Sequence, residues 1–274
     1  KLTLARLLLE ELRVDRIEVA SARVSEGEFE SVRQIALWAK EAGVLPKVEV
    51  LSFVDGGASL DWIHKAGART QNLLTKGSLN HLTYQLRKTP EAHFKEVAAV
   101  LRKAEDLEIR SNVYLEDWSN GMRSSKEYVF EFLDFLSKQP VDRILLPDTL
   151  GVLTPDETGR FIREIVQRYP ELDFHGHNDY DLSVANVLQA LQGGVHGLHL
   201  TVNGMGERAG NAPLASVVAV INDFLPELEI GVCESALYKV SKLVSAFTGI
   251  GIPSNKPVVG DNVFTQTAGI HADG

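Results

Sequence analysis

The chain has 274 residues, 44% of them hydrophobic and 24% charged, with 28 Lys and Arg against 37 Asp and Glu for a formal net charge of -9. These are globular proportions, which exclude a fibrous repeat or a disordered chain. The acidic balance argues against non-specific nucleic-acid binding, but it leaves room for a locally positive pocket that takes an anionic small molecule. A single cysteine, Cys233, excludes an internal disulfide and points to a reducing, cytoplasmic setting. No apolar run reaches the ~20 residues needed to span a bilayer, and no signal-peptide pattern opens the chain.

Two hydrophobic periods alternate along the sequence. Residues 2–12 read as an amphipathic helix, 16–20 as a strand and 28–42 as a helix with Phe29, Val32, Ile35, Ala36 and Ala39 on one stripe, stopped at Gly43. Strand 48–54, helix 60–66, strand 71–75 and a long helix 90–107 follow. Next come strand 111–116, helix 125–137, strand 143–146 and a helix that starts at Thr154-Pro155-Asp156-Glu157, with a cap, a proline and acids in its first turn. Strand 172–177, helix 184–191, strand 198–203 and helix 213–224 complete the series.

Seven strands alternating with eight helices predict a parallel sheet. The count favours a (β/α)8 TIM barrel of the α/β class over a doubly wound sheet, because no Gly-rich dinucleotide fingerprint follows an early strand. The barrel then lacks its first strand, whose place in the alternation is before Lys1, so the chain is expected to be part of a longer protein. The barrel is assigned to residues 1–230, and residues 231–274 to the start of a C-terminal helical and linker subdomain.

Candidate chemistry collects at predicted strand ends. In Phe174-His175-Gly176-His177-Asn178-Asp179, the two histidines share one face of a strand at the barrel mouth. They can ligate one divalent cation, or they can form a hydrogen-bonded pair that closes the barrel. The loop Asn203-Gly204-Met205-Gly206-Glu207-Arg208-Ala209-Gly210-Asn211 is either a ligand loop, with Asn211 as an oxygen donor, or a Gly-rich turn with a local Glu–Arg pair. Alternation puts Asn112, Tyr114 and Glu116 on one face, where Glu116 is an acid/base, a substrate contact or a solvated strand-end acid. Thr149, after Asp148, is a donor to a substrate carboxylate or a turn residue. Leu51 and Leu74 read as core at the mouth ends of adjacent strands, and Lys76 as a solvated charge. His64, His81, His93 and His196 fall on helices or loops, His199 lies on a polar face that lines the barrel, and Cys233 reads as a buried apolar residue.

Taken together, residues 20–25, 112–117, 147–151, 175–179, 203–211 and 265–274, in this order, resemble the DRE-TIM metallolyases. That family contains 2-isopropylmalate, homocitrate and citramalate synthases and 3-hydroxy-3-methylglutaryl-CoA lyase. Residues 72–78, 114–121 and 175–183 are most similar to its citramalate synthase branch. The resemblance implies a Claisen-type condensation of acetyl-CoA with a 2-oxo acid, pyruvate first, to give (R)-citramalate and CoA in isoleucine biosynthesis. The alternatives are a 2-isopropylmalate synthase using 2-oxoisovalerate in leucine biosynthesis, a hydroxyacyl-CoA lyase, or an inactive barrel. By position the resemblance makes His175, His177 and Asn211 ligands of a divalent cation (Zn, Mn or Mg). It makes Glu116 the acid/base or substrate-orienting carboxylate, and it assigns Leu51, Leu74, Tyr114 and Thr149 to the substrate. His271 corresponds to a catalytic histidine that reaches a neighbouring subunit, which implies a homodimer. The family's first strand ends in an Arg-Asp-Gly-Glu-Gln type motif, whose Asp binds the metal and whose Arg stabilises the enolate. This chain has no such stretch, in agreement with the strand count.

Overall fold

A computed structural model describes residues 1–265. Seven strands form one parallel sheet in strict chain order: β1 (Ile17–Ser21), β2 (Val48–Phe53), β3 (Thr70–Lys76), β4 (Arg110–Glu116), β5 (Arg143–Asp148), β6 (Leu172–Gly176) and β7 (Gly197–His199). Among the described residues, ten α-helices are interspersed: α1 (Leu2–Arg6), α2 (Glu26–Glu41), α3 (Ala58–Ala66), α4 (Pro90–Asp106), α5 (Trp118–Ser124), α6 (Lys126–Leu136), α7 (Pro155–Val166), α8 (Ser183–Gly193), α9 (Leu214–Phe224) and α10 (Leu237–Thr248). The alternation and the α/β class agree with the sequence reading. No described helix is long and apolar enough to cross a membrane.

The sheet has two faces of opposite character. Val50, Leu73, Val113, Leu115, Ile144, Leu146, Leu172 and Phe174 point outward and pack on Val97, Leu101, Phe132, Leu133, Ile162, Val187 and Ile221 of the helices. Full burial of such side chains stabilises the fold by about 1.5–3 kcal/mol each. The opposite face is polar. Register pairs Asn72 with Asn112 and Asn112 with Arg143, and Tyr114 with Leu145 and Leu145 with Asp173, so each row projects to the inside. Contacts between strands that are not neighbours show that the sheet curls. Arg143 of β5 pairs with Glu49 of β2, Arg16 before β1 pairs with Asp173 of β6, and Tyr114 of β4 touches His199 of β7. The result is a curled half-barrel of TIM type with β1 and β7 at its edges.

The first helix, α1 with its continuation through Leu7–Glu11 as a wider π-type turn, links the two ends of the helical layer. Ala5 and Leu9 pack on Ile35 and Ala39 of α2, while Leu12 packs with Leu214 and Val218 of α9 and Leu237 and Val240 of α10. The Cys233 N–H donates to Leu12 O at 2.8 Å. Residues up to Val259 thus share a core with the barrel's helices.

Three local expectations change. The last strand is shorter than 198–203, because Thr201 pairs with Pro213 and Asn203 turns at a φ of 61°. Residues 118–124, between the predicted strand 111–116 and helix 125–137, form an additional helix, α5, around the fully buried Trp118. Cys233 is partly exposed rather than buried, with its Sγ 3.3 Å from Ser235 Oγ.

Candidate active site

Strand alternation brings the predicted residues of β4 and β6 to the same side of the sheet, at or near its C-terminal edge. His175 is the penultimate residue of β6, and His177 lies two residues on, bridged to Asn211 of the Gly-rich loop. Backbone bonds fix that loop: Asn178 N–H donates to Gly210 O, Ala212 N–H to Gly176 O and Asn211 N–H to Gly204 O, at 2.9, 3.0 and 3.1 Å. Gly210 has a φ of 85°, and a Cβ there would collide with Gly204 O, so only glycine closes this turn.

The two imidazoles face each other through their Nε2 atoms, 3.2 Å apart. Two nitrogens bound to one ion at about 2.1 Å, with ligand angles between octahedral and tetrahedral, lie roughly 3.0–3.4 Å apart. The Asn211 Oδ1, His175 Nδ1 and His177 Nδ1 atoms are buried and lack a hydrogen-bond partner among the described residues. Burial, followed by the charges of His199 and His177, holds His175 well below the usual imidazole range. Burial and then Arg208 lower His177 against the opposing pull of Asp179 and Glu207. Neutral imidazoles beside an orphaned amide oxygen fit a divalent cation. Among the described residues, no group of three or more His, Cys, Asp and Glu side chains is placed to share one.

Glu116 ends β4 directly beside Lys76, which ends β3 in register with it. Lys76 is buried in this ion pair, which corrects its reading as a solvated charge. His81 joins the cluster, with its Nδ1 3.9 Å from Glu116 and its Nε2 3.5 Å from Asp117. Asp117 itself is buried, accepting from Ser78 Oγ at 2.6 Å and Asn120 Nδ2 at 2.8 Å. Its N–H donates to Thr149 Oγ1 at 2.8 Å, so the Thr149 hydroxyl keeps its own proton to give away. Asp148 points the other way, into the β5–α7 turn, where it accepts from the N–H groups of Val152 and Leu153.

Arg208 clamps three loops. It donates to both carboxylate oxygens of Asp179, at 2.8 and 3.0 Å, and to Thr149 O at 2.7 Å. The local Glu207–Arg208 pair is also present, at 3.6 Å.

Leu51 and Leu74 are partly buried on the inner face, with Leu74 in register with Tyr114. Tyr114 is buried, edge-on to His175 with ring centroids 5.9 Å apart. The structure thus joins His175, His177 and Asn211 in one cluster, sets Tyr114 against His175, and brings Thr149 to the Glu116–Asp117 strand end. His271 lies outside the described residues.

Below the mouth lies a charged floor that the sequence reading missed. Arg143 pairs with both Glu49 and Asp173, Arg16 lies 3.3 Å from Asp173, and Asn72 donates to Glu18 at 2.6 Å and Glu49 at 3.0 Å. The available signal was period-two placement of Glu18, Glu49, Asn72, Asn112, Arg143 and Asp173 within strands whose other face is apolar.

The same fold occurs in solved 3-hydroxy-3-methylglutaryl-CoA lyases. The Acinetobacter baumannii enzyme superimposes with a TM-score of 0.76 at 19% identity, covering 97% of this chain and 90% of that one. The Pseudomonas aeruginosa enzyme gives a TM-score of 0.72 at 20% identity, covering 93% and 89%. In sequence, the (R)-citramalate synthase of Methanocaldococcus jannaschii is 34% identical over 275 residues, covering all of this chain and 54% of that protein. The 2-isopropylmalate synthase of Methylorubrum populi is 34% identical over 284 residues, covering all of this chain and 53% of its own length. An Ignicoccus hospitalis protein named "probable 2-isopropylmalate synthase" is 36% identical over 276 residues, covering all of this chain and 67% of that protein. The chain therefore spans between about half and two thirds of the length of these curated relatives. The sequence profile described as HMGL-like matches residues 1–244, from α1 through most of α10, and with the barrel and the paired histidines in place the chain belongs to the HMGL-like, DRE-TIM family.

Proposed function

We propose that this chain is the catalytic barrel of a synthase that condenses acetyl-CoA with a 2-oxo acid, pyruvate in preference, to give (R)-citramalate and CoA. The observation that carries the reading is the neutral His175–His177 pair, with Nε2 atoms 3.2 Å apart beside the orphaned Asn211 Oδ1. Whole-chain similarity to proteins named as synthases of this kind supports it.

In the reaction the acetyl methyl group loses a proton, the resulting carbanion attacks the keto carbon, and water cleaves the thioester. A divalent cation (Zn, Mn or Mg) held by His175, His177 and Asn211 would supply Lewis-acid polarisation of the keto oxygen. Thr149 donates its hydroxyl proton to the substrate carboxylate. Glu116 is the acid/base or substrate-orienting carboxylate, and its ion pair with Lys76 holds it at the strand end. His271 completes the site from a neighbouring subunit, so a homodimer belongs to the same proposal.

Substrate choice rests on volume. Leu51, Leu74 and the Tyr114 ring occupy the inner face where a longer 2-oxo acid would place its side chain. A methylene is worth ~1–3 kcal/mol of discrimination in an apolar pocket, so two leucines are enough to favour a methyl over an isopropyl group. The competing substrate is 2-oxoisovalerate, favoured by the 36% identity to a protein named for 2-isopropylmalate synthesis.

The test is CoA release by the full-length protein with acetyl-CoA and a series of 2-oxo acids. The highest kcat/KM is expected for pyruvate. Equal values for pyruvate and 2-oxoisovalerate would refute the pyruvate assignment, and no release with any 2-oxo acid would refute the synthase.

A further inference from the structure

Inside the barrel, beside the paired histidines, Tyr114 is tied to two side chains to which the proposed reaction gives no part. Tyr114 Oη lies 2.6 Å from His199 Nδ1, and His199 Nε2 lies 3.5 Å from Asp173 Oδ2. Asp173 is buried. Arg143 and, at 3.3 Å, Arg16 pair with the Oδ2 of that carboxylate.

His199 therefore has one ring nitrogen against the phenol and the other against the carboxylate, while the phenol O–H also donates to Glu18 Oε2 at 3.4 Å. The ring itself is gripped on two sides, edge-on to His199 at 5.4 Å and edge-on to His175 at 5.9 Å between centroids. Gly197 is required on the same strand as His199, because a Cβ there would collide with the Asp173 carboxylate.

We propose that His199, oriented by Asp173, is a positioning residue that locks the Tyr114 ring against His175 and so fixes the wall that limits the side chain of the bound 2-oxo acid. The inference rests on the synthase reading and assigns a specificity role to two residues outside the cation site and the Glu116 cluster. With the ring locked, Leu74 and Tyr114 make a rigid boundary. With the His199 ring removed, the phenol keeps only its longer hydrogen bond to Glu18 and the ring can tilt away from His175.

The experiment compares full-length parent, His199→Leu, His199→Gln and Tyr114→Phe by CoA release, with 2-oxo acid and acetyl-CoA varied separately. His199→Leu is expected to raise KM for pyruvate about tenfold and to narrow the kcat/KM ratio of pyruvate over 2-oxoisovalerate by a similar factor. The KM for acetyl-CoA and the bound-metal content should hold within about twofold. His199→Gln, whose amide oxygen can accept the phenol proton, should recover most of the loss, and adding Tyr114→Phe to His199→Leu should cost nothing further. Unchanged discrimination in His199→Leu, or losses that fall equally on both substrates, would overturn the inference. Should His199→Leu fail to fold, Tyr114→Phe read by imidazole nitrogen NMR decides it: a shift at His199 Nδ1 supports the hydrogen bond, and no shift overturns it. A parent that releases CoA beside unaltered variants defeats this inference alone, while a parent inactive with every 2-oxo acid defeats the synthase reading as well.

Discussion

His175 and His177 are neutral because they are buried and because cationic or ionisable neighbours oppose their protonation. Neutral imidazole is the form that binds a cation. Replacing either one by alanine in the full-length protein is expected to weaken divalent-metal binding by at least ~100-fold and to abolish CoA release. Metal titration of the purified variants checks this, and undiminished affinity would contradict the assignment.

His93 makes a second residue-scale prediction. It is fully buried on α4, where its Nε2 accepts the Lys76 N–H at 3.4 Å, and burial, followed by the charge of Lys88, lowers its pKa to about 4 from 6.5. The unfolded chain therefore binds a proton between pH 6.5 and 4 that the native state refuses. The stability that His93 contributes is complete above pH 6.5, falls as the pH drops towards 4 and is flat below that. The shift corresponds to about 3 kcal/mol. In His93→Gln this part of the pH dependence should vanish from the unfolding curves, and a parent and variant with parallel pH profiles would contradict it.

At this scale the sequence revealed residues whose partners are close in the chain. The i, i+2 spacing placed His175 with His177, and Tyr114 with Glu116, on shared faces. It did not reveal that Arg16 meets Asp173, or Arg143 meets Glu49, because only barrel curvature brings those charges together. Lys76 was misread for the same reason: its partner lies on the adjacent strand, 40 residues away.

Elements were legible where local chemistry decides them. At the start of α7, where the sequence predicted a capped helix start, Thr154 Oγ1 accepts from the Glu157 N–H and the Glu157 carboxylate accepts from the Thr154 N–H, a reciprocal cap. Thr154→Ala should cost about 1–2 kcal/mol in denaturant unfolding, and a change below a few tenths would contradict that role. Tertiary packing decided the others. Helix α5 contains Ser, Asn and Gly, which are poor helix formers, yet it forms because Trp118 and Met122 are buried. Its Gly121 lies so close to the backbone of Gly77 that a Cβ would collide with the Gly77 carbonyl oxygen. Gly121→Ala should therefore push α5 away from the end of β3 and destabilise the protein by about 1–3 kcal/mol, an overpacking cost that thermal unfolding would register.

For the whole molecule, one sheet serves two purposes. Its outward face, with Val50, Leu73, Val113, Ile144 and Phe174, supplies the apolar core that holds the helices. Its inward face carries Glu49, Asn72, Arg143, Asp173 and the histidines, which would weaken a core but suit a polar reaction chamber. The alternating periods made the α/β barrel readable from the sequence. The polarity of the inner face was readable only one strand at a time, and its assembly into a charged floor beneath a paired-histidine mouth required the fold.

In the proposed function, the boundary of that chamber sets the substrate. Leu74→Ala should relax the preference for pyruvate over 2-oxoisovalerate by roughly 10-fold or more, as expected for removing a side chain worth a few kcal/mol of steric discrimination. The most direct test gives the full-length protein acetyl-CoA with equal concentrations of pyruvate and 2-oxoisovalerate and identifies the products by mass spectrometry. Citramalate in large excess over 2-isopropylmalate is the predicted result. A mixture dominated by 2-isopropylmalate, or neither product, would contradict the account.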